Sequence, residues 1–319
     1  MTTALVTGLN GQDGRLAAEH LLMRGYDVVG VGRQSTSILM GHDRLRYVPL
    51  DLQDTAALSA LIAQVQPDLA LHLAAVHGAA GFQYETQFAA VLAVNVTALH
   101  ALLEHARLRP DMTIVYASSA KVFGSPPPAL ITEASPAVSN CLYSISKNAA
   151  HDTLALYRRE HGVSATTLYL FNHESIYRQP QYFVPQIVRA LAAARVGSRN
   201  RHRLRSLDFL CNWGCAREYM EIAIELGEQR LADDYIIARD KTWHGREFCQ
   251  TLFEKHGLDY RDHLEAAFED SAPTPVWRPA TEKLRHAVGR SPRRDILDVC
   301  DEMLAALERP QDQAVGKNC

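Results

Sequence analysis

The first turn of the chain constrains its fold more than any other feature. An apolar strand predicted over residues 4–7 runs into a glycine-rich segment, and a helical pattern follows from Leu16 to Arg24. A strand, turn and helix in this order form a phosphate cradle, because unpaired backbone N–H groups and the positive end of the helix dipole face the anion. The spacing G-x-x-G-x-x-G differs from the commoner G-x-G-x-x-G of dinucleotide-binding folds. The predicted cofactor contacts in this turn are Gly8, Asn10, Gly11, Gln12, Asp13 and Gly14.

Strand-like runs alternate with amphipathic helical segments over the first 170 residues. The runs lie at 4–7, 27–31, 47–49, 69–73, 113–117 and 166–169. This alternation is typical of βαβ units and predicts an α/β fold with a doubly wound parallel sheet. Ligands of such sheets bind in the crevice at the carboxyl ends of the strands. The residues that follow the third, fourth and fifth runs are therefore candidate contacts: Asp51, Leu52, Leu73, Ala74, Ala75, Ser118 and Ser119.

The end of the second strand bears on cofactor selectivity. NAD-selective sites usually carry an acidic residue there, for the ribose hydroxyls. In this chain the strand leads into Arg33-Gln34-Ser35, and an arginine suits a 2′-phosphate. We therefore expect NADP or NAD, with NADP favoured. A solvated Arg33 that stacks on adenine is the alternative.

Two polar clusters predict a site for hydride transfer. Ser118 and Ser119 follow the fifth strand, and Tyr143 and Lys147 stand four positions apart later in the chain. Residues at i and i+4 share one face of a helix, so the ammonium can lie near the phenol oxygen. A nearby cation lowers the pKa of a phenol, which is about 10 when unperturbed. We expect Tyr143 to take the proton of a substrate alcohol, with Ser119 and Lys147 as further catalytic residues.

Composition limits the classes of partner. The 319 residues are 47% hydrophobic and carry a net charge of −3, which allows a sizeable core and gives no reason to expect a nucleic-acid partner. The first strand begins within four residues of Met1, and we find no apolar stretch near the roughly 20 residues of a membrane span. The expectation is a cytoplasmic protein without a membrane partner.

The cysteines and the domain organisation complete the reading of the residues. Six cysteines show no C-x-x-C pairing, so we interpret them as free thiols and expect no metal site. We expect a dinucleotide-binding domain over residues 1–170 and a smaller α/β substrate lobe over 171–308, with some segments returning to the sheet. A frayed tail is expected over 309–319.

Four further motifs lie between residues 73 and 219: Leu73-Ala74-Ala75, Tyr143-x-x-x-Lys147, Phe171-Asn172-His173-Glu174-Ser175 and Asn212-Trp213-Gly214-Cys215-Ala216-Arg217-Glu218-Tyr219. Together with the glycine-rich turn, they resemble the extended short-chain dehydrogenase/reductases, specifically the GDP-mannose 4,6-dehydratase branch, over most of the chain. The resemblance implies a Rossmann domain with a small C-terminal nucleotide-sugar lobe. It also implies a nicotinamide cofactor that stays bound through the catalytic cycle.

The resemblance also assigns roles to individual residues. His173 and Arg178 are implied cofactor contacts, and the loop around Arg178 is expected to touch the cofactor of a neighbouring subunit in a homodimer or homotetramer. His173 stays open as an acid/base. Asn95 would help to order the catalytic network. The implied substrate contacts are Ser118, Ser119, Asn172, Glu174, Asn212 and Arg217.

Two departures from the family pattern put its usual reaction in question. The family's serine/threonine loop continues to a glutamate that removes the C5 proton, whereas this chain has Lys121 at that position, which we count among the catalytic residues. A protonated lysine cannot act as a base. The family's Arg-Asp before Trp-Gly is Cys211-Asn212 here, which puts the family's sugar and nucleotide in question for this chain as well.

The remaining parts suffice for oxidation and reduction at C4 of a nucleotide sugar. We therefore expect 4-epimerisation of an NDP-hexose or NDP-heptose, with GDP or a related nucleotide. The alternatives are a 4-ketoreductase, a 4,6-dehydratase with an altered acid/base, and a non-enzymatic cofactor-binding homologue, since fold alone does not establish activity.

Overall fold

The computed structural model describes residues 2–37, 39, 41–78, 81–125, 127–267 and 276–308. The predicted tail at 309–319 lies outside these residues. The strands are β1 Thr3–Thr7, β2 Asp27–Gly32, β3 Leu45–Pro49, β4 Leu69–His72, β5 Thr113–Ser119, β6 Leu130–Ile131, β7 Ser164–Leu170, β8 Asn172–Glu174, β9 His202–Leu204, β10 Leu210–Cys211, β11 Trp213–Cys215, β12 Asp234–Ile237, β13 Trp243–His244, β14 Leu264–Ala266 and β15 Arg278–Pro279. The α-helices are α1 Gln12–Met23, α2 Thr55–Val65, α3 Phe88–Leu92, α4 Ala98–Leu108, α5 Leu142–His161, α6 Phe183–Arg195, α7 Ala216–Glu228, α8 Gly245–Lys255, α9 Glu282–Val288 and α10 Ile296–Glu308.

Within the described residues, a seven-stranded parallel sheet has the order β12-β7-β5-β4-β1-β2-β3. The order reverses beside β1, as in doubly wound dinucleotide-binding folds. All six predicted strands belong to this sheet, so the α/β fold class is confirmed. The seventh strand, β12, comes from the second half of the chain and pairs with β7.

Helices cover both faces of the sheet. α1 and α7 pack on one face, where Leu16, Leu21 and Met220 belong to one core cluster. α2, α4 and α5 pack on the other face, where Leu58 and Leu102 belong to a second cluster. Both faces are therefore covered, which explains why the strands read as nearly continuous apolar runs.

A helical run over Glu85–Leu108 is long and apolar enough to span a membrane by length and composition. This finding corrects the expectation that no stretch approaches that length. The run ends in α4, and Leu99, Leu102 and Leu103 of α4 are fully buried in the second core cluster. A core helix of this kind meets the same criteria as a membrane span.

A third core cluster lies beyond the sheet. It joins α6, α8 and α10 with the short strands between them, around Trp213, Phe248 and Phe253. β8 leaves the sheet just after β7 and pairs with β11, so it connects this cluster to the carboxyl edge of the sheet. The division at residue 170 stays a prediction, since α7 and β12 pack on the sheet.

Candidate active site

The glycine-rich turn between β1 and α1 forms a wall of a cleft at the carboxyl edge of the sheet. Gly8 has a φ of +78°, and a Cβ there would lie 2.9 Å from the Cα of Ala74. A Cβ on Gly14 would lie 2.1 Å from the Gly8 carbonyl oxygen. α1 begins after Gly11, which has no side chain to cap it, so the first backbone N–H groups are available to an anion. The turn thus has the backbone geometry of a phosphate cradle.

A hydrogen-bond network joins this turn to β8. Gln12 donates to the His173 carbonyl oxygen at 3.1 Å and accepts from the Ser175 hydroxyl at 3.0 Å. His173 donates from Nδ1 to the Phe171 carbonyl oxygen at 2.6 Å, and its Nε2 lies 3.0 Å from the Asp13 carboxylate. Both ring nitrogens therefore have partners within the chain, and the roles of His173 as a cofactor contact or an acid/base stay predictions.

Asp13 and His173 each favour the charged form of the other. Burial lowers the pKa of His173, but the Asp13 carboxylate outweighs it, and the pKa is raised. Burial raises the pKa of Asp13, but the charge and hydrogen bond of His173 outweigh it, and the pKa is lowered. This partly buried pair fixes the glycine-rich turn against β8.

α5 carries Tyr143 and Lys147 in its first two turns, and both side chains are buried. Lys147 donates from Nζ to the Ala117 carbonyl oxygen at 2.7 Å, and Nζ lies 5.7 Å from the centre of the Tyr143 ring. Burial lowers the pKa of Lys147 to about 7. Burial also raises the pKa of Tyr143, with a smaller contribution from nearby Tyr84, and the hydrogen bond from the Ser119 hydroxyl offsets this only in part. The expectation that Lys147 lowers the phenol pKa is therefore wrong for this structure, because burial is the larger effect.

The two serines at the end of β5 lie in different environments. Ser119 borders both cavities described below and accepts from the Lys121 backbone N–H at 3.3 Å. Ser118 is 3% exposed, and its hydroxyl makes no hydrogen bond to any described residue. A buried, unpaired hydroxyl at the wall of a cleft is available to a ligand.

Two cavities meet at these side chains. The inner cleft, of about 220 Å³, runs along the carboxyl ends of the strands, and the outer cavity, of about 380 Å³, lies between β5, α6 and the third core cluster. The predicted residues that border the inner cleft are Gly8, Gly11, Gln12, Asp13, Gly14, Leu73, Ala75, Ser118, Ser119, Tyr143, Lys147, Asn172, His173 and Arg178. Those that border the outer cavity are Ser119, Lys121, Asn172, Glu174 and Arg178.

Other predicted cofactor contacts surround the inner cleft without bordering it: Asn10, Arg33, Asp51, Leu52 and Ala74. Asn10 donates to the Thr36 carbonyl oxygen at 2.9 Å and to Gln34 Oε1 at 3.2 Å, so it holds the segment after β2 beside the turn. Arg33 is exposed in that segment. Leu52 is 6% exposed and packs in the core, and its expected contact with the cofactor stays a prediction.

Two predicted substrate contacts are not brought to either cavity. Asn212 is 1% exposed, and it donates to the carbonyl oxygens of Arg239 and Lys241 at 2.7 and 3.0 Å. Its amide thus ties the strand before α7 to the segment after β12. Arg217 lies on α7, 3.5 Å from Glu19 of α1, and borders a separate cavity of about 30 Å³. Neither side chain borders the inner cleft or the outer cavity, and their expected role as substrate contacts stays a prediction.

Arg178 lies where the two cavities meet. Its guanidinium is 3.3 Å from the Glu174 carboxylate and stacks on the Tyr182 ring at 3.7 Å. The side chain is therefore engaged within its own chain. The expected contact with a neighbouring subunit's cofactor, and the dimer or tetramer it implies, stay predictions.

Several residues of the outer cavity were not predicted from the sequence: His77, Tyr182, Gln186, Arg205, Ser206, Phe209 and Cys211. His77 follows Leu73-Ala74-Ala75 in the loop after β4, so its place after a central strand was an available signal. The others come from α6 and the segment around β9. No local pattern marks them, because they meet only through long-range packing.

Comparison with known proteins gives a consistent result. The family model described as GDP-mannose 4,6 dehydratase matches residues 5–292. GDP-mannose 4,6 dehydratase 1 of Arabidopsis thaliana is 32% identical over 291 residues, covering 86% of this chain and 80% of the relative. GDP-mannose 4,6-dehydratase of Yersinia enterocolitica is 30% identical, covering 81% and 73%.

Solved structures share the fold at lower identity. dTDP-glucose 4,6-dehydratase of Bacillus anthracis, in complex with NAD, has a TM-score of 0.82 at 18% identity and covers 98% of each chain. UDP-glucose 4-epimerase of Thermotoga maritima, with UDP-glucose, has a TM-score of 0.80 at 16% identity and covers 96% of this chain and 98% of its own. With the family match over nearly its whole length, the chain belongs to the GDP-mannose 4,6-dehydratase family of NAD(P)-dependent, nucleotide-sugar-modifying enzymes.

Proposed function

We propose that the protein oxidises and re-reduces C4 of a nucleoside-diphosphate hexose or heptose, with 4-epimerisation as the net reaction. The observation that carries this proposal is the placement of two hydroxyls. Tyr143 borders the inner cleft, and Ser119, whose hydroxyl lowers the pKa of Tyr143, borders both cavities. A dinucleotide in the inner cleft and a sugar in the outer cavity would meet at these two groups.

The inner cleft fits a nicotinamide dinucleotide. Gly8 and Gly14 permit the tight turn, since a Cβ at either position would clash with the backbone, and the hydroxyl of Ser118 is buried and unpaired among the described residues. A bound nicotinamide cofactor would accept the hydride from C4 and return it. Arg33, exposed beside the turn, supports the preference for NADP over NAD.

Proton movement in this reaction falls to Tyr143. Its phenolate would take the proton of the C4 hydroxyl while Ser119 donates a hydrogen bond to the same oxygen, and the proton returns when the ketone is reduced. Lys147, with a pKa of about 7, is present in both charge states near neutral pH. When protonated, its ammonium, with Nζ 5.7 Å from the ring centre, would offset part of the rise in the Tyr143 pKa that burial causes.

Lys121 argues against elimination of water across C5 and C6. That step needs a group that accepts the C5 proton, and the family resemblance assigns it to a glutamate at this position. Lys121 is exposed and borders the outer cavity. A protonated amine there can attract an anion but cannot take a proton.

Positive charge in the outer cavity supports a diphosphate ligand. Lys121, Arg178 and Arg205 all border it. Guanidinium groups bind phosphate oxygens in two-point contacts, so Arg205 is our candidate for the diphosphate. The nucleotide could be GDP, as in the names of the relatives, or a related one.

A 4,6-dehydratase with a different acid/base is the second candidate, and Glu174 is the observation that favours it. Glu174 borders the outer cavity, and burial raises its pKa to about 7, against the lowering effect of Arg178 and His173. A carboxyl group that titrates near neutral pH can both take and give a proton. Its ion pair with Arg178 at 3.3 Å would have to open first.

Heavy water distinguishes the two candidates. GDP-mannose and other GDP-, UDP- and dTDP-hexoses would be incubated with the cofactor-loaded protein in D2O, and the products analysed by mass spectrometry and NMR. We expect a product of unchanged mass, without deuterium at C5. Loss of one water with deuterium at C5 would instead establish the dehydratase, and abolition of that activity in Glu174→Gln would identify its base.

A further inference from the structure

The loop after β4 carries a histidine that the mechanism above does not use. His77 borders both the inner cleft and the outer cavity. The centre of its ring lies 4.5 Å from the centre of the Tyr143 ring. A sugar whose reacting carbon lies within reach of Tyr143 must therefore also lie against His77.

Tyr84 fixes the orientation of this histidine. The Tyr84 hydroxyl oxygen lies 2.6 Å from His77 Nδ1, and it also accepts from the Gly78 backbone N–H at 3.4 Å. Because the phenol oxygen already accepts from the backbone, its own O–H is available to donate to Nδ1. This arrangement leaves the ring proton of His77 on Nε2. No described residue hydrogen-bonds to Nε2.

The surroundings keep the ring neutral. Burial, followed by the nearby charges of Lys121, Arg178 and Lys147, lowers the pKa of His77 to about 3. The other ionisable groups against the ring are the phenols of Tyr84, Tyr143 and Tyr182, and burial raises the pKa of each. An imidazole that stays neutral can donate a hydrogen bond from Nε2 without releasing a proton.

We propose that His77 donates a hydrogen bond from Nε2 to an oxygen of the substrate sugar at or beside C4, and that Tyr84 is a positioning residue that holds this tautomer. His77 is then a substrate contact that polarises the oxygen and transfers no proton. The inference rests on the proposed function, since it needs a sugar at Tyr143. It differs from a general-base role, which would need an unprotonated Nε2.

Two substitutions at His77 separate a donor from a base. The amide nitrogen of glutamine reaches approximately the position of Nε2 and can donate, whereas leucine cannot. We expect His77→Leu to lower kcat/KM about tenfold on the nucleotide sugar that the unaltered protein converts, and His77→Gln to recover most of this loss. Circular dichroism and cofactor binding would confirm that both variants fold. Equal activity of His77→Leu and the unaltered protein, or equal loss in both variants, would overturn the donor role.

Nitrogen NMR tests the tautomer without any substrate. In protein with ¹⁵N-labelled histidine, the His77 signals, assigned by their absence in His77→Gln, should show a neutral ring protonated on Nε2 at pH 7. Tyr84→Phe should shift the population toward the Nδ1 tautomer. A ring protonated on Nδ1 in the unaltered protein would overturn the inference.

Failure of the proposed function would look different. If no tested GDP-, UDP- or dTDP-hexose altered the absorbance of the bound cofactor in the unaltered protein, the C4 chemistry and the donor role would both be refuted. Turnover by the unaltered protein together with an unaffected His77→Leu variant would refute the donor role alone.

Discussion

The inner cleft and the outer cavity are built from different kinds of sequence. The inner cleft takes its walls from short continuous segments at the carboxyl ends of strands of the sheet, such as 8–14 after β1 and 117–119 at the end of β5. The outer cavity takes its walls from α6, the segment around β9 and single residues such as Trp213. The first is fixed by local backbone geometry, and the second by how the third core cluster packs against the sheet.

Charge distinguishes the two regions as well. In the inner cleft, the Asp13 carboxylate and the His173 ring pair with each other, and Lys147 Nζ donates a hydrogen bond to a backbone carbonyl. In the outer cavity, Lys121 has an exposed side chain that can reach a ligand. The inner cleft is thus suited to hold one cofactor in a fixed pose. In the outer cavity, substitution of a few side chains would be enough to change which substrate binds.

Tyr143 lies at the junction of the two regions, and its substitution has the largest expected effect on turnover. Tyr143→Phe removes the hydroxyl that moves the alcohol proton and should lower kcat by about 10²-fold or more. Binding of the cofactor and of the nucleotide sugar should persist, because the ring still packs in the same place. Steady-state kinetics, with calorimetric binding of each ligand, would measure both quantities.

Tyr157→Phe is the matched control for this substitution. Tyr157 lies on the same helix, and its hydroxyl bonds to His100 and Glu104, away from both cavities. Its loss should leave kcat nearly unchanged. If Tyr143→Phe kept near-native turnover, Tyr143 would be a packing residue and the proposed chemistry would fail.

Most residues that the sequence predicts for one site lie together in the inner cleft, for a physical reason. A turn that must approach a phosphate needs glycine, so the positions of Gly8 and Gly14 in the sequence are enough to locate the cradle. The i, i+4 spacing similarly brings Tyr143 and Lys147 together. Their pKa values could not be predicted in this way, because burial, which is set by the whole fold, outweighs the effect of the neighbouring charge.

Arg33 tests the part of the inner region that lies outside the cleft walls. Arg33→Asp should weaken NADP binding far more than NAD binding, since it removes a cation from the 2′-phosphate and adds a repulsive charge. A change in the affinity ratio on the order of tenfold to a hundredfold is expected for a charge-assisted contact. Fluorescence titration with both cofactors would measure the ratio.

The control for Arg33→Asp must change the net charge equally. Arg159→Asp does so on the exposed end of α5, where Arg159 pairs with Glu160. This variant should leave the NADP to NAD ratio unchanged. If Arg33→Asp weakened the binding of NAD and NADP equally, Arg33 would not contact the 2′-phosphate, and the NADP preference would be unfounded. A contact with the adenine, which both cofactors share, would then be the explanation.

The outer cavity was harder to predict because its residues come together only through tertiary packing. Tyr182 and Gln186 lie at the start of α6, while Arg205 follows β9, and nothing in the sequence relates them. Asn212 is the converse case. A polar residue within a family motif suggested a ligand contact, but its amide bonds to the backbone at residues 239 and 241.

Arg205 gives the smallest expected effect and tests whether the outer cavity binds the diphosphate. Arg205→Ala should raise KM for the nucleotide sugar by about three- to tenfold with little change in kcat, because a partly solvated cation contributes to binding in the ground state and the transition state alike.

Arg203→Ala is the matched control, since Arg203 is exposed two residues away on β9 and borders neither cavity. Higher salt should reduce the difference between the unaltered protein and Arg205→Ala, since the interaction is electrostatic. An Arg205→Ala variant whose KM matches that of Arg203→Ala would place the diphosphate elsewhere, and the remaining cations of the outer cavity, Lys121 and Arg178, would then be the groups to test.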